Sequence, residues 1–126
     1  MDFPETLKYT KDHEWIRIEG DTGTVGITDY AQGELGDVVF VELPVVGRSV
    51  RQHESFGTIE AVKAVSDLFA PMSGAVTDVN AAVAATPDAV NKDPYGKGWM
   101  VKLKLANPAE ASALLDAKAY RALIGK

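Results

Sequence analysis

The sequence predicts a mainly β protein in which two small antiparallel sheets enclose one core, with short helices and a helical cover at the C-terminus. Short runs rich in β-branched and aromatic residues recur over residues 7–105, and turn clusters separate them. From residue 107 onward a capping asparagine and a proline introduce helix-forming residues. Because 126 residues suffice for one core but not for two, we expect a single domain over residues 1–126. Its core is expected at about 7–105 and its helical segment at about 107–124.

The composition excludes several classes of function. Hydrophobic residues make up 46% of the chain and charged residues 25%, which is ordinary for a soluble globular protein. A formal net charge of −5 argues against binding to nucleic acid, which requires a basic patch. No apolar run approaches the length of a membrane span. Because the chain contains no cysteine, it has no disulfide, no thiolate nucleophile and no cysteine-ligated metal.

The first part of the chain predicts a hairpin and one short helix. Residues 15–18 are mainly aromatic and β-branched, which indicates a strand, and residues 24–28 form a short returning strand after a turn. Thr28 or Asp29 can cap a helix over residues 30–35, and the glycine that follows ends it.

Further strands are expected in the middle of the chain. Residues 38–43 are strongly apolar and rich in β-branched residues, which predicts a central strand. Pro44 stops this strand because proline cannot donate to a ladder. Residues 48–51 alternate as a polar-faced strand, and residues 74–80 form another.

The remaining elements alternate between loop, strand and helix. Residues 81–86 are low in complexity and also fit a helix, but we expect them to form a loop that leads to a helical turn at residues 87–90 and a second loop at 91–98. Residues 99–105 predict a final strand, with its lysines outward and its apolar side chains inward.

Two helical pieces are expected at the C-terminus. Asn107 places a cap before a proline at the first helical position, and the helix that follows turns its alanine and leucine side chains to one face. Asp116 then caps a second piece over residues 117–124, whose Tyr120 and Leu123 are expected to pack against the domain.

Lys63 is one of nine lysines, and its surroundings set it apart. Residues 54–59 before it and 68–74 after it mix β-branched and aromatic residues, so two strands would place its ammonium at the tip of a hairpin. The same stretch also fits a surface helix. Apolar residues recur every three positions over residues 59–65, and Glu60 could pair with Lys63 across one turn. Local pattern alone leaves both interpretations open.

Several motifs of the chain occur together in one known family. They are Thr-Lys-Asp-His-Glu-Trp at 10–15, Ile-Thr-Asp-Tyr-Ala-Gln at 27–32, Leu-Gly-Asp-Val-Val-Phe-Val-Glu-Leu-Pro at 35–44, Glu-Ala-Val-Lys-Ala at 60–64 with Ser-Asp after it, and Ala-Pro-Met-Ser-Gly at 70–74. The lysine motif resembles the hairpin of lipoyl and biotinyl carriers, and more narrowly that of glycine cleavage system H proteins. The resemblance runs from Leu7 to Leu123. It favours the hairpin over the surface helix, and it implies the barrel-sandwich hybrid fold of these carriers.

The chain departs from the family pattern at a few positions. Ala61 stands where serine is more common, a small change on a turn. Tyr30 and Glu34 stand where many members carry histidine, so no role of a histidine is carried over. Biotin carriers typically have methionine on both sides of the lysine, whereas Val62 and Ala64 stand here, which disfavours biotin.

The resemblance implies a carrier and not an enzyme. Lys63 would carry lipoate as an amide, and the lipoyl arm would move the aminomethyl group of glycine between enzymes. The implied partners are the glycine decarboxylase P component, the aminomethyltransferase T component, dihydrolipoamide dehydrogenase and a lipoate-attaching enzyme, with no nucleic acid and no membrane among them. The N-terminus has neither a signal-peptide pattern nor an Arg-rich amphipathic stretch. We therefore expect a bacterial cytoplasmic protein, or a mitochondrial matrix protein only if a transit peptide has been removed.

Three carboxylates match positions at which the family is thought to protect the loaded arm. By resemblance these are Glu14, Asp67 and, more weakly, Asp12, and the alternative is that they are solvated residues at strand edges. His13 could suggest an acid–base role, but a lone histidine without a nearby nucleophile more often packs or caps locally. No candidate metal site is proposed.

Two other classes of function remain as alternatives. The first is a lipoyl or biotinyl carrier domain of another multienzyme complex, although such domains lack the His-Glu-Trp opening and the helical tail. The second is an interaction module that shares the fold and leaves Lys63 unmodified. The mass of the native protein would distinguish these from a lipoyl carrier.

Overall fold

A computed structural model describes residues 2–126, which fold into two antiparallel sheets and several short helices. In chain order the elements are β1 (Lys8–Tyr9), β2 (Glu14–Glu19), β3 (Thr22–Ile27), α1 (Asp29–Leu35), β4 (Val38–Glu42), β5 (Ser49–Val50), β6 (Ser55–Ala61), β7 (Val65–Phe69), β8 (Gly74–Val79), α2 (Ala81–Ala85), α3 (Ala89–Lys92), β9 (Val101–Leu105), a 3-10 helix (Pro108–Ala113) and α4 (Ala117–Ile124). The larger sheet has the order β1-β2-β3-β9-β8-β5 and the smaller has the order β4-β6-β7. The predicted mainly β class with two antiparallel sheets is confirmed.

The two sheets enclose the main core. Buried side chains from both sheets meet there, and α2 and α3 each add one valine. The predicted alternation in β9 is confirmed, because Val101, Leu103 and Leu105 are buried between more exposed lysines. Two strands are shorter than expected: β5 covers only Ser49–Val50, and β9 begins at Val101.

Strand β4 lies at an edge of the smaller sheet, so the prediction of a central strand is wrong. The continuous apolar run suggested burial on both faces. Val38 and Val41 are indeed buried, but Val39 is 58% exposed and Phe40 is 48% exposed. A register shift between Val38 and Phe40 interrupts the pairing with β6 and coincides with this change of face.

Residues around Lys63 form a hairpin, so the surface-helix alternative is wrong. Strands β6 and β7 pair antiparallel, with Glu60 opposite Val65. The three-residue spacing of apolar side chains does not mark a single face. Ile59 points into the core, whereas Val62 and Val65 are exposed at the tip.

The connection between β8 and β9 contains more helix than expected. Residues 81–86 were expected as a loop, but Ala81–Ala85 is helical. The Asn80 side chain accepts a hydrogen bond from the N–H of Ala82 at 3.1 Å, which caps this helix, and Val83 anchors it in the core. The following helix begins at Ala89 and not at the proline two residues earlier.

The C-terminal segment covers a second, aromatic cluster that includes Tyr9, Trp15 and Tyr120. Asp116 caps α4 as predicted, and Tyr120 is buried and stacked on Tyr9 with ring centroids 4.9 Å apart. Leu123, in contrast, is exposed, so its predicted packing is wrong. The piece that follows Asn107 is a 3-10 helix, and it ends early because the chain after it pairs with Tyr9. No helix in the described part of the chain is long and apolar enough to cross a membrane.

Candidate functional site

Lys63 lies in the short turn between β6 and β7 and is exposed. The turn is closed by a hydrogen bond of 2.8 Å from the N–H of Ala61 to the carbonyl of Ala64. Within residues 2–126 no carboxylate lies within ion-pair distance of Lys63, whereas Lys92 pairs with Asp88 at 3.1 Å. In the described part of the chain the Lys63 ammonium is therefore exposed and unpaired.

The hairpin tip is docked onto the connection between α1 and β4. The N–H of Val62 donates to the carbonyl of Asp37 at 3.0 Å, and the N–H of Lys63 donates to the carbonyl of Leu35 at 3.2 Å. Gly36 lies between these two acceptors with φ of 79°, a left-handed conformation that favours glycine. A Cβ at Gly36 would meet the carbons of the Lys63 side chain at 3.5 Å, an ordinary van der Waals distance, so space does not require glycine here. The positive φ favours glycine, which permits the turn.

Asn91 of α3 holds the same connection from the other side. Its side-chain oxygen accepts from the N–H of Val38 at 2.8 Å, and its amide nitrogen donates to the carbonyl of Gly36 at 2.9 Å. The same amide nitrogen donates to the side chain of Gln32 in α1 at 3.0 Å. The docking surface for the hairpin tip is thus fixed to the rest of the fold.

A cavity of about 200 Å³ opens beside the docked tip. We call it the acidic cavity because four carboxyl groups and no lysine or arginine line it. Apolar side chains form much of the rest of its wall, together with His13, Tyr30 and Ser66. Its lining residues are Asp12, His13, Glu14, Ile27, Tyr30, Ala31, Glu34, Leu35, Ile59, Ser66, Asp67 and Leu68. Helix α1 contributes both to this lining and to the carbonyl that accepts from Lys63, so the lysine and the cavity share one support.

The three carboxylates singled out from the sequence lie together in this cavity although 55 residues separate the first from the last. Asp12 lies in the turn before β2 and Asp67 lies on β7, and both are exposed. Glu14 is only 2% exposed, so the alternative of a solvated strand-edge residue is wrong for it. Its carboxyl accepts from the Thr10 hydroxyl at 2.7 Å and from the N–H of Phe69 at 3.3 Å. Glu14 therefore links β2 to the returning strand of the lysine hairpin.

Burial raises the pKa of Glu14 to about 8. Hydrogen bonds from Thr10 and Phe69 oppose this effect, and the nearby Asp12 adds to it. At pH 7 the Glu14 carboxyl is therefore mostly protonated. A cation that entered the acidic cavity would favour its ionised form, so cation binding there would release a proton.

His13 also lines the acidic cavity, and it packs as expected, but its partners are distant in sequence and not local. Its backbone is left-handed, with φ of 72°. Its ring nitrogen Nδ1 lies 2.8 Å from the hydroxyl of Tyr120, and its ring lies beside that of Tyr30. No local pattern indicates the Tyr120 contact, because 107 residues separate the two partners. Tyr30 and Glu34, which were noted only as departures from the family, line the cavity through the helical spacing of α1.

No cluster of three or more histidine or acidic side chains in the described part of the chain could hold a metal ion. The candidate site consists of an exposed lysine and an adjoining acidic cavity.

The sequence and the fold both have known relatives. The profile of the family described as "Glycine cleavage H-protein" matches residues 7–126. The chain is 56% identical to the glycine cleavage system H protein of Bacteroides thetaiotaomicron, with 98% of each chain covered. It is 60% identical to the protein of that name from Symbiobacterium thermophilum, with 94% of this chain and 93% of the relative covered. A crystal structure of a glycine cleavage system H protein from Mycobacterium marinum superposes with a TM-score of 0.88 at 41% identity, covering 98% of this chain and 100% of that one.

Glu14→Gln tests the protonation of the buried carboxyl. A carboxyl whose pKa is raised by folding costs the folded state nothing below its unfolded value of 4.5, and the cost grows as the pH rises towards 8. Relative to Glu14→Gln, the unfolding free energy of the parent should therefore fall between pH 5 and pH 9, by about 1–3 kcal/mol. Urea unfolding at several pH values measures this difference. Glu60→Gln replaces an exposed carboxylate on the same hairpin, and its unfolding free energy should change with pH as that of the parent does. If the unfolding free energies of the parent and of Glu14→Gln changed with pH in the same way, the raised pKa of Glu14 would be contradicted.

Proposed function

The chain belongs to the glycine cleavage H-protein family, whose members are the lipoyl carriers of glycine cleavage, and we propose that Lys63 is the residue that carries the lipoyl group. The observation that carries this proposal is the position of Lys63, exposed and unpaired at a hairpin tip whose backbone is held by Leu35 and Asp37. An attaching enzyme needs an accessible amine at a defined place. Among the other lysines, Lys92 and Lys104 are engaged in ion pairs.

The residues around the hairpin fit a lipoyl arm. When bound, the group supplies a dithiolane that can be reduced, can hold the one-carbon amine derived from glycine and can be reoxidised. The apolar wall of the acidic cavity, from residues such as Leu35 and Ile59, offers contact for an apolar chain. Its carboxyl groups offer acceptors and negative charge for a cationic end. Acylation would also remove the positive charge of Lys63 itself.

We propose that Glu14, Asp67 and Asp12 retain the cargo by keeping its amine protonated. A neutral amine on a carbon that also bears sulfur is labile, because its lone pair can expel the thiol and water then yields formaldehyde and ammonia. Glu14 is the strongest candidate because it is buried, so a cation beside it is screened little by solvent. Asp67 and Asp12 add negative charge at the exposed rim.

The remaining features of this proposal concern partners and place of action. We propose that the chain has no catalytic activity of its own and visits the P component, the T component, dihydrolipoamide dehydrogenase and a lipoate-attaching enzyme. Its net charge of −5 would steer it towards basic patches on those proteins. We also propose that residues 1–126 act as one carrier domain. Relatives such as those from Bacteroides thetaiotaomicron and Symbiobacterium thermophilum are bacterial, which supports action in a bacterial cytoplasm.

Lys63→Arg tests the attachment site. After co-expression with a lipoate-attaching enzyme and lipoate, the parent should gain one lipoyl group, mapped by peptide mass spectrometry to Lys63. Lys63→Arg should gain none, and its stability should change by less than about 0.5 kcal/mol because the site is exposed. Lys92→Arg serves as the matched control and should be modified like the parent. A lipoyl group on Lys63→Arg, or an unmodified parent, would refute the proposal.

Retention of the cargo tests the carboxylates. In purified loaded protein without partner enzymes, Glu14→Gln should release formaldehyde several-fold faster than the parent, and Asp67→Asn should show a smaller increase. Glu14→Gln removes the carboxyl that the cationic amine would cause to ionise, and Asp67→Asn removes a negative charge at the rim, so both variants weaken the field that keeps the amine protonated. Glu60→Gln changes an exposed carboxylate of the same hairpin that does not line the acidic cavity, and it should release formaldehyde at the parental rate. Equal release from Glu14→Gln and Glu60→Gln would show that Glu14 does not protect the cargo.

A further inference from the structure

The C-terminal helix reaches the acidic cavity through a chain of side-chain hydrogen bonds. The hydroxyl of Tyr120 in α4 lies 2.8 Å from Nδ1 of His13 and 2.8 Å from the hydroxyl of Thr28. Thr28 is the N-cap of α1, and its hydroxyl accepts from the N–H of Ala31 at 3.1 Å. Thr28 and Tyr120 are both fully buried. One hydroxyl therefore connects the histidine at the cavity with the cap of the helix that forms the cavity wall.

The number of hydroxyl hydrogens determines which group donates in each of these hydrogen bonds. The Thr28 hydroxyl already accepts from Ala31, and among residues 2–126 the only acceptor within reach of its own hydrogen is the oxygen of Tyr120. If Thr28 donates to Tyr120, the single hydroxyl hydrogen of Tyr120 is left for Nδ1 of His13, and every group is satisfied. The opposite direction would leave the Thr28 hydrogen buried without an acceptor, which native structures avoid. Nδ1 of His13 is therefore an acceptor.

We propose that Tyr120 is a positioning residue for the acidic cavity, because its hydroxyl holds His13 as the neutral imidazole whose hydrogen is on Nε2. His13 is the one lining residue that could acquire a positive charge. A protonated ring would carry hydrogen on both nitrogens. Its Nδ1 would then donate to the Tyr120 hydroxyl and could no longer accept a hydrogen bond from it. The neutral ring leaves the cavity with negative charge only, which favours a cationic occupant. This consequence rests on the proposed carrier function, whereas the tautomer itself does not.

Burial and the neighbouring carboxylates act on the pKa of His13 in opposite directions. Burial lowers the pKa of His13, and the carboxylates of Asp12 and Glu34 raise it. The titratable groups that face the cavity together with His13 come from its own turn, from β2, from α1 and from β7, and Tyr120 faces the ring from α4. They are Asp12, Glu14, Tyr30, Glu34, Asp67 and Tyr120. With this many acidic neighbours a histidine would ordinarily gain a proton more easily. The hydrogen bond that Tyr120 donates to Nδ1 of His13 opposes protonation, because it requires that nitrogen to carry no hydrogen.

Imidazole NMR of the unmodified protein tests the tautomer directly. In the parent at pH 7, the nitrogen shifts should show His13 as the Nε2–H form. In Tyr120→Phe both tautomers should appear, and the midpoint of the His13 titration should rise, since Asp12 and Glu34 are then opposed by burial alone. Tyr95→Phe is the matched control. Its hydroxyl also holds the start of α1, by accepting from the N–H of Asp29 at 3.0 Å, but it does not contact His13. An Nδ1–H tautomer in the parent, or equal His13 titrations in both variants, would overturn the proposal.

Release of cargo against pH tests the consequence for function. The rate for loaded Tyr120→Phe relative to loaded parent should be severalfold above one at pH 6 and should approach one at pH 8.5, where His13 is neutral in both. Tyr95→Phe should give a ratio that does not depend on pH. His13→Asn tolerates the left-handed backbone and removes the titration, so Tyr120→Phe in that background should lose the pH dependence. A ratio independent of pH for Tyr120→Phe, together with the expected NMR shifts, would refute the effect on cargo and leave lipoylation of Lys63 unaffected.

Discussion

Two backbone hydrogen bonds fix the position of Lys63, and the rest of the candidate site depends on them. The N–H groups of Val62 and Lys63 donate to carbonyls on either side of Gly36, at the end of the helix that forms one wall of the acidic cavity. A typical intramolecular hydrogen bond contributes only about 1 kcal/mol to stability. The pair can hold the tip because its acceptors are themselves held, by the turn at Gly36 and by the side chain of Asn91.

The acidic cavity lowers the stability of the fold and favours a cationic occupant. It brings four carboxyl groups together without a compensating lysine or arginine in its lining, and it buries one of them, Glu14. Burial of a carboxyl is unfavourable unless it is hydrogen-bonded, and here Thr10 and Phe69 satisfy both oxygens. The fold thus holds a site that is unfavourable when empty and more favourable when a cation occupies it, as is common at functional sites.

The sequence predicted much of this structure where the signals are local, and it failed where they are not. Turn clusters, the Thr28 and Asp116 caps and the alternation in β9 were sufficient because each depends on neighbouring residues. Periodicity could not distinguish a hairpin at Lys63 from a helix. Ile59 is buried because it packs against residues that are distant in sequence, whereas Val65 is exposed because it lies at the hairpin tip. The helix at Ala81–Ala85 was missed because Asn80 was assigned to a strand end and not to a cap. The contact between His13 and Tyr120 depends on how α4 packs, which no local pattern encodes.

The most direct test of this account is amide hydrogen exchange at the hairpin tip in the unmodified protein. If the tip is held in place before any group is attached, the amides of Val62 and Lys63 should exchange more slowly than that of Ala64, whose N–H makes no hydrogen bond within residues 2–126. A difference of about tenfold or more is expected, in line with one hydrogen bond that must open before exchange. Equal and fast exchange at all three positions would show that the lysine is not held beside the cavity, and would contradict the central claim.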